Sequence, residues 1–159
     1  FHTAISYNLS NPFRSFWREM IGREHLALPR VPAVGITFEG PLVHRNIIER
    51  IGYPDTRFFV YADDTDYFLR ADRAGFAINV IPSANCDRLF PLPPDGTFTW
   101  KHYYLIRNII AVNVMHGSLA VRVLRPLAYL VLWAKRAKSF DNLKTVFRAF
   151  RDGYFFKKL

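Results

Sequence analysis

The chain has 159 residues, of which 50% are hydrophobic and 16% aromatic, and its formal net charge is +9. This composition excludes a disordered or low-complexity chain and leaves enough apolar material for one ordinary domain or part of a larger one. The single cysteine, Cys86, excludes an internal disulfide framework and a zinc site built on several cysteines.

The first two thirds of the chain alternate short predicted helices and strands. They are a helix over 13–21, a strand over 34–38, a helix over 43–51, a strand over 58–62, a helix over 67–74 and a strand over 76–81. Gly52 and Gly75 follow two of these helices at the position where a left-handed C-cap is expected. The order strand, helix, strand after residue 57 is typical of an α/β crossover. We therefore predict an α/β fold for residues 1–98.

The last third of the chain has a helical pattern. Residues 87–98 contain three prolines and a glycine and predict a loop. After it, helices are predicted over 100–115 and 119–137, the second with a kink at Pro126. A third helix would be capped by Ser139 or Asp141, and four apolar residues would share its buried face. These residues are Leu143, Val146, Phe147 and Phe150.

The net positive charge of the chain comes from this helical region alone. Residues 100–159 contain 12 basic and 2 acidic side chains, whereas residues 1–99 contain 10 basic and 11 acidic ones. Basic, apolar and aromatic residues at helical spacing suit an anionic membrane surface better than nucleic acid, which does not need the apolar residues. The longest apolar run, 127–134, is well short of the roughly 20 residues that a spanning helix needs. We predict a helix lying in the membrane interface, with a helix packed on the rest of the protein as the alternative.

An acidic cluster, Asp63-Asp64-Thr65-Asp66, directly follows the predicted strand 58–62. Open α/β sheets bind ligands at the carboxyl ends of their strands, so this is a candidate site. Asp63 and Asp66 could cap the following helix. Asp64 and Asp66 form a D-x-D pattern that could hold Mg²⁺ or Mn²⁺. A carboxylate at a helix N-terminus could also accept a proton as a general base.

Several segments occur in a fixed order around this cluster. They are FEGPLVHRN (38–46), IERIGYPD (48–55), FFVYADDTDYFLR (58–70), RAGF (73–76), VIPSA (80–84), YYLIRN (103–108) and FRAFRDG (147–153). In order and spacing they resemble the inverting family-2 glycosyltransferases, most of all the bacterial rhamnosyl- and galactofuranosyltransferase-like members. The resemblance runs from about residue 34 to the end of the chain.

The resemblance implies a GT-A fold, a Rossmann-like α/β sandwich whose second half supplies the acceptor site and the catalytic base. Residues 1–98 would be that C-terminal half, and residues 99–159 a helical, basic, membrane-associating region. The donor-binding half, with its own metal-binding D-x-D, would precede Phe1. The sequence starts Phe-His-Thr without a methionine, so we expect it to be an excerpt of a longer protein, which could be inactive alone.

The resemblance also implies roles for individual residues. Asp64 would be the catalytic base, Asp63 would support it, and Asp66 would orient the acceptor sugar. Arg107 would contact the diphosphate of the donor, or else form a structural ion pair with an acid such as Asp63. Tyr104 would stack on a sugar or a nucleotide base, unless it belongs to the core.

One position departs from the family pattern. Arg88 stands where relatives often place a metal-binding histidine, and a guanidinium cannot ligate a cation. Either His102 replaces that histidine, or Arg88 contacts the diphosphate directly, or the metal relies on the missing half. The resemblance implies a divalent cation, Mg²⁺ or Mn²⁺, with its main ligands expected outside this chain.

The expected partners are a nucleotide-sugar donor, a glycan or lipid-linked acceptor and an anionic membrane surface, but no nucleic acid. The expected place is peripheral, on the cytoplasmic side of a bacterial membrane, in cell-wall or polysaccharide biosynthesis. The main alternative is a non-catalytic basic module that binds an anionic membrane or nucleic acid. A glycoside hydrolase ranks last, because its two carboxylates must flank one bond at roughly 5–10 Å and neighbouring aspartates need not do so.

Overall fold

The computed structural model describes residues 4–6, 8–13, 19–20, 23–36, 38, 40–84 and 98–158. Its strands are β1 (Ala4–Ser6), β2 (Glu19–Met20), β3 (Val31–Pro32) and β4 (Asn79–Val80). Its α-helices are α1 (Arg45–Ile51), α2 (Asp63–Arg73), α3 (Lys101–His116), α4 (Leu119–Arg136) and α5 (Phe140–Tyr154). Short 3₁₀ turns cover Arg23–His25, Thr56–Phe58 and Phe156–Lys158.

The chain folds as two units. The first, which we call the N-terminal unit, comprises Phe1–Tyr7, Trp17–Asp55 and Asp64–Gly96. The second, the helical unit, comprises Asn8–Phe16, Thr56–Asp63 and Thr97–Leu159. The helical unit therefore includes a short segment, 56–63, that lies about 40 residues before its three long helices in the sequence.

In the N-terminal unit, α1 and α2 share an apolar core, and the strands form two small antiparallel sheets, β1 with β2 and β3 with β4. The apolar core of the helix pair contains Ile47, Tyr67 and Phe68, which are buried. Helix α1 begins after His44, whose Nδ1 accepts the Asn46 N–H. It ends at Gly52, whose φ of 75° lies in the left-handed region that glycine adopts without strain. The predicted helices near 43–51 and 67–74 are thus confirmed, the second starting four residues earlier.

In the part of the chain that the structure describes, most of the strand predictions are wrong. Residues 34–36, 38 and 58–62 form no strand, residue 37 lies outside the described residues, and the strand predicted over 76–81 is reduced to β4. Strand β4 pairs with β3 in the antiparallel sense, with Val31 opposite Val80, and not in a parallel crossover. The helix predicted over 13–21 is wrong at Glu19–Met20, which form β2, and most of its remainder lies outside the described residues, as does nearly all of the predicted loop 87–98. The partial GT-A fold therefore stays a prediction.

The helical unit is a three-helix assembly whose core includes Ile106, Ile110, Tyr129, Val146 and Ala149, all buried. The predicted helices over 100–115 and 119–137 are confirmed as α3 and α4 with ends within about one residue, and the third predicted helix is confirmed as α5. The oxygen of the Ser118 side chain accepts the Val121 N–H and so caps α4, which continues through Pro126. Ser139 rather than Asp141 caps α5, since its side chain accepts the Asn142 N–H.

One residue of α5 was placed wrongly by the sequence. Phe147 was predicted on the buried face, but its side chain is 53% exposed, while Val146 next to it is fully buried. None of the described helices combines the length and the apolar character that crossing a membrane would require.

Candidate active site

The segment 58–62 is a turn in which three residues have unusual backbone conformations. The φ angles of Phe59, Tyr61 and Ala62 are 62°, 68° and 65°. Residues with a Cβ rarely adopt positive φ, at a cost of about 1–3 kcal/mol each, so contacts elsewhere must hold this backbone. The strand prediction for 58–62 was therefore wrong. Its physical reason is that Phe58 finds its burial by packing its ring 4.7 Å from that of Phe156, without a sheet.

Two consecutive side chains of α3 bind the carbonyl groups of this turn. The Nδ2 of Asn108, which is fully buried, lies 2.8, 2.7 and 2.8 Å from the carbonyl oxygens of Phe58, Val60 and Tyr61. Arg107 donates through Nη2 to the carbonyl oxygens of Arg57 (2.7 Å) and Phe58 (3.1 Å). We call this pair of side chains the Arg107–Asn108 clamp.

The two members of the clamp are also joined to each other. The Nε–H of Arg107 donates to Oδ1 of Asn108 at 2.7 Å. Because Oδ1 is occupied by this donor, the NH₂ group of the amide faces the turn, where only a donor can meet carbonyl oxygens. Arg107 thereby fixes the orientation in which Asn108 can bind the turn.

Aromatic rings surround the guanidinium of Arg107. Its Cζ lies 4.9 Å from the ring centroid of Tyr104, 5.6 Å from that of Tyr103 and 5.3 Å from that of Phe156. The hydrogen bonds of Arg107 go to carbonyl and amide oxygens, whereas the sequence suggested a diphosphate or the carboxylate of Asp63. Tyr104 also contacts Phe59, at 5.1 Å between centroids, and is half-buried. Its predicted stacking on a sugar or a base stays a prediction.

The acidic cluster forms the N-terminal end of α2. Asp63 is the first helical residue, and Asp64 follows it. The Oδ1 of Asp64 accepts the Thr65 N–H at 2.6 Å and the Thr65 hydroxyl at 3.3 Å, while Oδ2 accepts the Phe38 N–H at 3.3 Å. A carboxylate has about four acceptor positions, so these donors fix its orientation and leave capacity for one more. The side chain is half-buried and therefore keeps access to solvent.

Asp66 is placed differently from its neighbours. It is only 1% exposed, and its Oδ2 lies 2.9 Å from Nε of Arg70. Arg70 in turn donates to the carbonyl oxygens of Ile51 (2.7 Å) and Tyr53 (3.0 Å). These contacts place Asp66 in the network that ties α2 to the end of α1. Its predicted contact with an acceptor sugar stays a prediction.

The residues described do not fit a metal site. With Asp66 turned to Arg70, the D-x-D of Asp64 and Asp66 does not offer two carboxylates to one cation. No group of three or more His, Cys, Asp and Glu side chains converges in the described ranges. His102 uses its Nδ1 to accept the Thr99 N–H at 2.9 Å, and Arg88 lies outside the described residues.

Sequence reasoning missed the role of Asn108. It appeared only as the last letter of the YYLIRN segment, and no role was given to its side chain. The available signal was a polar residue on the apolar face of a helix, between Ile106 and Ile110, where a buried amide requires partners.

A second polar contact joins α3 to α5 in the helical unit. The hydroxyl of Tyr103 donates to Oδ2 of Asp152 at 2.7 Å. Burial raises the pKa of Tyr103, and the hydrogen bond to Asp152 adds to the effect. Burial would also raise the pKa of Asp152, but the hydrogen bonds from Tyr103 and Arg151 and the charges of Arg151 and Arg148 outweigh it, so that this pKa is lowered.

Replacing Tyr103 with phenylalanine is expected to lower the free energy of unfolding by about 1–2 kcal/mol near neutral pH, because the half-buried Asp152 carboxylate loses one of its donors. The stability that Asp152 contributes is present above its unfolded pKa of about 4 and is lost as pH falls through the lowered folded pKa. The contribution of Tyr103 is present below about pH 10 and is lost as pH rises through its raised pKa. Urea unfolding at several acidic and alkaline pH values measures the loss of stability at low pH and the loss at high pH.

The matched control for this experiment is Tyr154→Phe. Tyr154 is another half-buried tyrosine of this unit, and its hydroxyl has no hydrogen-bond partner within the described ranges. Equal losses of stability in the two variants would contradict the assigned role of the Tyr103–Asp152 contact.

Comparison with known proteins links part of the chain to enzymes that transfer sugars. No protein-family model matches the chain, and no solved structure is significantly similar. Galactofuranosyltransferase GlfT2 of Mycobacterium tuberculosis (strain ATCC 25618 / H37Rv) is 31% identical over 75 residues, which are 47% of this chain and 12% of the relative. The enzyme of the same name from Mycolicibacterium smegmatis (strain ATCC 700084 / mc(2)155) is 29% identical over an equally long match. The match thus spans about an eighth of these relatives and indicates a distant relation to glycosyltransferases.

Proposed function

We propose that this chain is the acceptor-side portion of a glycosyltransferase with Asp64 as its general base. The observation that carries the proposal is the orientation of Asp64 at the start of α2, where both carboxylate oxygens accept N–H donors and the side chain keeps access to solvent. The partial identity to two galactofuranosyltransferases supports the same reaction class. So does the order of the sequence segments around the acidic pair, which resembles inverting family-2 enzymes.

The proposed reaction is a single displacement at the anomeric carbon of the donor sugar. The oxygen of an acceptor hydroxyl forms the new bond to that carbon while the bond to the nucleoside diphosphate breaks, and the bonding pair leaves with the diphosphate. The proton of the hydroxyl passes to the carboxylate of Asp64. Attack opposite the leaving group inverts the anomeric configuration. A divalent cation bound when the enzyme is complete would supply charge stabilisation to the diphosphate, with its main ligands outside this chain.

The substrates belong to the same proposal. The donor is a nucleotide-activated sugar, and the name of the two relatives makes galactofuranose the first sugar to test. The acceptor is a glycan or a lipid-linked glycan, as in cell-wall or polysaccharide biosynthesis. Incubating the full-length protein with donor and acceptor should release nucleoside diphosphate and give a product whose anomeric configuration, read by NMR, is opposite to that of the donor. Retention of configuration would contradict the mechanism.

We also propose that α4 lies on the anionic cytoplasmic surface of the membrane. Leu119, Val123, Leu127 and Val131 recur at every fourth residue and are 80%, 43%, 48% and 54% exposed, so they form one outward-facing apolar stripe. The surrounding region, residues 100–159, contains 12 basic and 2 acidic side chains, which is a net charge of 12 − 2 = +10. An apolar stripe in a basic helical region is the pattern of an interfacial helix on anionic lipid.

The double variant Leu127→Asp, Val131→Asp is expected to bind anionic vesicles at least about tenfold more weakly than the wild type, since two apolar side chains no longer enter the lipid. Co-sedimentation with vesicles of phosphatidylglycerol and phosphatidylcholine measures the partition coefficient. Leu42→Asp, at a fully exposed leucine of the N-terminal unit, is the control and should bind like the wild type. Unchanged binding of the double variant would contradict the proposal.

A further inference from the structure

We propose that Phe38 is a positioning residue of the transfer reaction: its ring packs on α2 and thereby holds its own backbone N–H against the carboxylate of Asp64. This inference rests on the proposed function, because Asp64 is the general base that the proposal names. Phe38 and Asp64 both belong to the N-terminal unit, as do the two helix residues that the ring contacts. All the contacts involved therefore lie within one unit.

The carboxylate of Asp64 is held from two sides. Its Oδ1 accepts the N–H and the hydroxyl of Thr65, which is the next residue of the same helix. Its Oδ2 accepts the N–H of Phe38, which lies 26 residues earlier in the chain, at 3.3 Å. The bonds from Thr65 fix the position of one oxygen. The second oxygen, and with it the direction in which the carboxylate can accept a proton, depends on Phe38.

The ring of Phe38 packs on the same helix that carries the base. Its centroid lies 5.3 Å from that of Phe68, in an edge-to-face arrangement, and 5.8 Å from that of Tyr67. Both of these side chains are buried, so the ring rests on a fixed surface. Phe68 follows Asp64 by one helical turn and lies on the same side of α2. A movement of the ring would therefore carry the Phe38 N–H away from Oδ2.

The backbone on both sides of Phe38 is also anchored. Before it, the Ala33 N–H donates to the carbonyl oxygen of Ile78 at 2.9 Å, and Ile36 packs on the apolar core of α1 and α2. After it, the carbonyl oxygen of Phe38 accepts the Gly40 N–H at 3.0 Å. Gly40 has a φ of 77°, and a Cβ there would meet no heavy atom of the described residues within 4 Å. Alanine at this position would therefore strain the backbone without a steric overlap.

The orientation of Asp64 matters because proton transfer requires the base to lie within hydrogen-bond distance of the acceptor hydroxyl. Misplacing a catalytic group by about 1 Å can lower a rate about 100-fold. Phe38 has no side-chain group that can accept a proton, so its effect on the reaction passes through Asp64. Its ring is 37% exposed, and its removal should disturb the core less than the removal of a fully buried ring.

The direct test replaces Phe38 with phenyllactic acid in the full-length protein, by nonsense suppression. The resulting backbone ester keeps the ring but has no N–H to donate to Asp64. We expect kcat to fall at least about tenfold, with the KM values for donor and acceptor within about threefold of the wild type. In the Asp64→Asn background, the ester should change the residual rate by less than about twofold, because the base through which Phe38 acts is absent. An equal effect of the ester in both backgrounds would overturn the inference.

Side-chain variants test the role of the ring and of the turn that follows it. Phe38→Ala should lower kcat by about as much as the ester, whereas Phe38→Tyr, which keeps the ring, should retain kcat within about threefold of the wild type. Gly40→Ala should show a smaller loss of kcat, because it strains the turn but keeps both the ring and the N–H.

Each of these variants has a matched control in the same unit. Phe76→Ala removes a ring that is partly buried on the same core of α1 and α2, but the backbone N–H of Phe76 donates to the carbonyl oxygen of Ala71. Gly75→Ala introduces a Cβ at a φ of 89°, again with no heavy atom of the described residues within 4 Å. Both controls should lose stability and keep the kcat of the wild type.

Three outcomes would overturn the inference while the proposed function stands, each with Asp64→Asn inactive. The first is that the ester and Phe38→Ala keep kcat within about twofold of the wild type. The second is a rise in the KM for the acceptor at unchanged kcat, which would show that Phe38 contacts the substrate. The third is an equal loss of kcat in Phe76→Ala, which general loosening of the core would explain. If Asp64→Asn itself keeps the turnover of the wild type, the proposed base is wrong and the inference fails with it.

Discussion

Replacing Asp64 with asparagine is expected to lower kcat for sugar transfer by about 10²–10⁴-fold while donor binding stays nearly intact. Asparagine has the size of aspartate and keeps Oδ1 as the acceptor of the Thr65 N–H, while its NH₂ group replaces the oxygen that accepts the longer hydrogen bond from the Phe38 N–H. It cannot take the proton of an attacking hydroxyl, so the loss should fall on the chemical step. Turnover of the full-length protein and calorimetric titration with the donor measure the two quantities separately.

The matched control is Asp72→Asn, which removes the same charge from an exposed position on the same helix. Its kcat should equal that of the wild type. A similar fall in kcat in both variants would show that the effect comes from the reduced negative charge of α2 and not from the loss of a base at position 64. Wild-type turnover of Asp64→Asn would exclude the residue as the general base.

Replacing Gly153 with alanine is expected to destabilise the helical unit by about 1–3 kcal/mol, although alanine is the better helix former by about 1 kcal/mol. A Cβ at this position would overlap the carbonyl oxygen of Arg107 and lie 3.0 Å from the Cβ of Ile110. The first of these is backbone and cannot rotate away, so α3 and α5 would have to separate. Thermal or urea unfolding measures the loss.

Phe147→Ala serves as the control in the same helix. It removes far more atoms, but from a side chain that is 53% exposed, and should change stability by less than about 1 kcal/mol. If Gly153→Ala proved neutral or stabilising, α3 and α5 would not be in the close contact described. Because the overlap is with Arg107 itself, the same variant should also increase hydrogen–deuterium exchange of the turn that the clamp holds.

The sequence was most informative where local rules decide the structure. The boundaries of α3, α4 and α5 follow from apolar periodicity and from small polar residues such as Ser118 and Ser139, whose caps need only the next three residues. Gly52 marks the end of α1 by the same kind of local rule.

The sequence was least informative where contacts between residues far apart in the chain determine the structure. Residues 58–62 have strand composition, but their carbonyls are bound by a side chain about 50 positions later, which no local pattern reveals. Asp66 has the spacing of a metal or substrate ligand, and its burial depends on Arg70 reaching two carbonyls of the preceding segment. Of the three aspartates proposed from the sequence, the structure thus distinguishes a half-buried Asp64 from a buried, paired Asp66.

The interleaving of the two units along the chain has a consequence for biosynthesis. Segment 56–63 emerges from the ribosome well before Arg107 and Asn108, at a synthesis rate of roughly 5–20 residues per second. Its hydrogen-bond partners, Arg107 and Asn108, have not yet been synthesised during that interval. The turn can therefore take its final conformation only after α3 has formed. A nascent chain stopped short of residue 101 would lack both side chains that bind the carbonyl groups of this turn, so its ordering is a late event in folding.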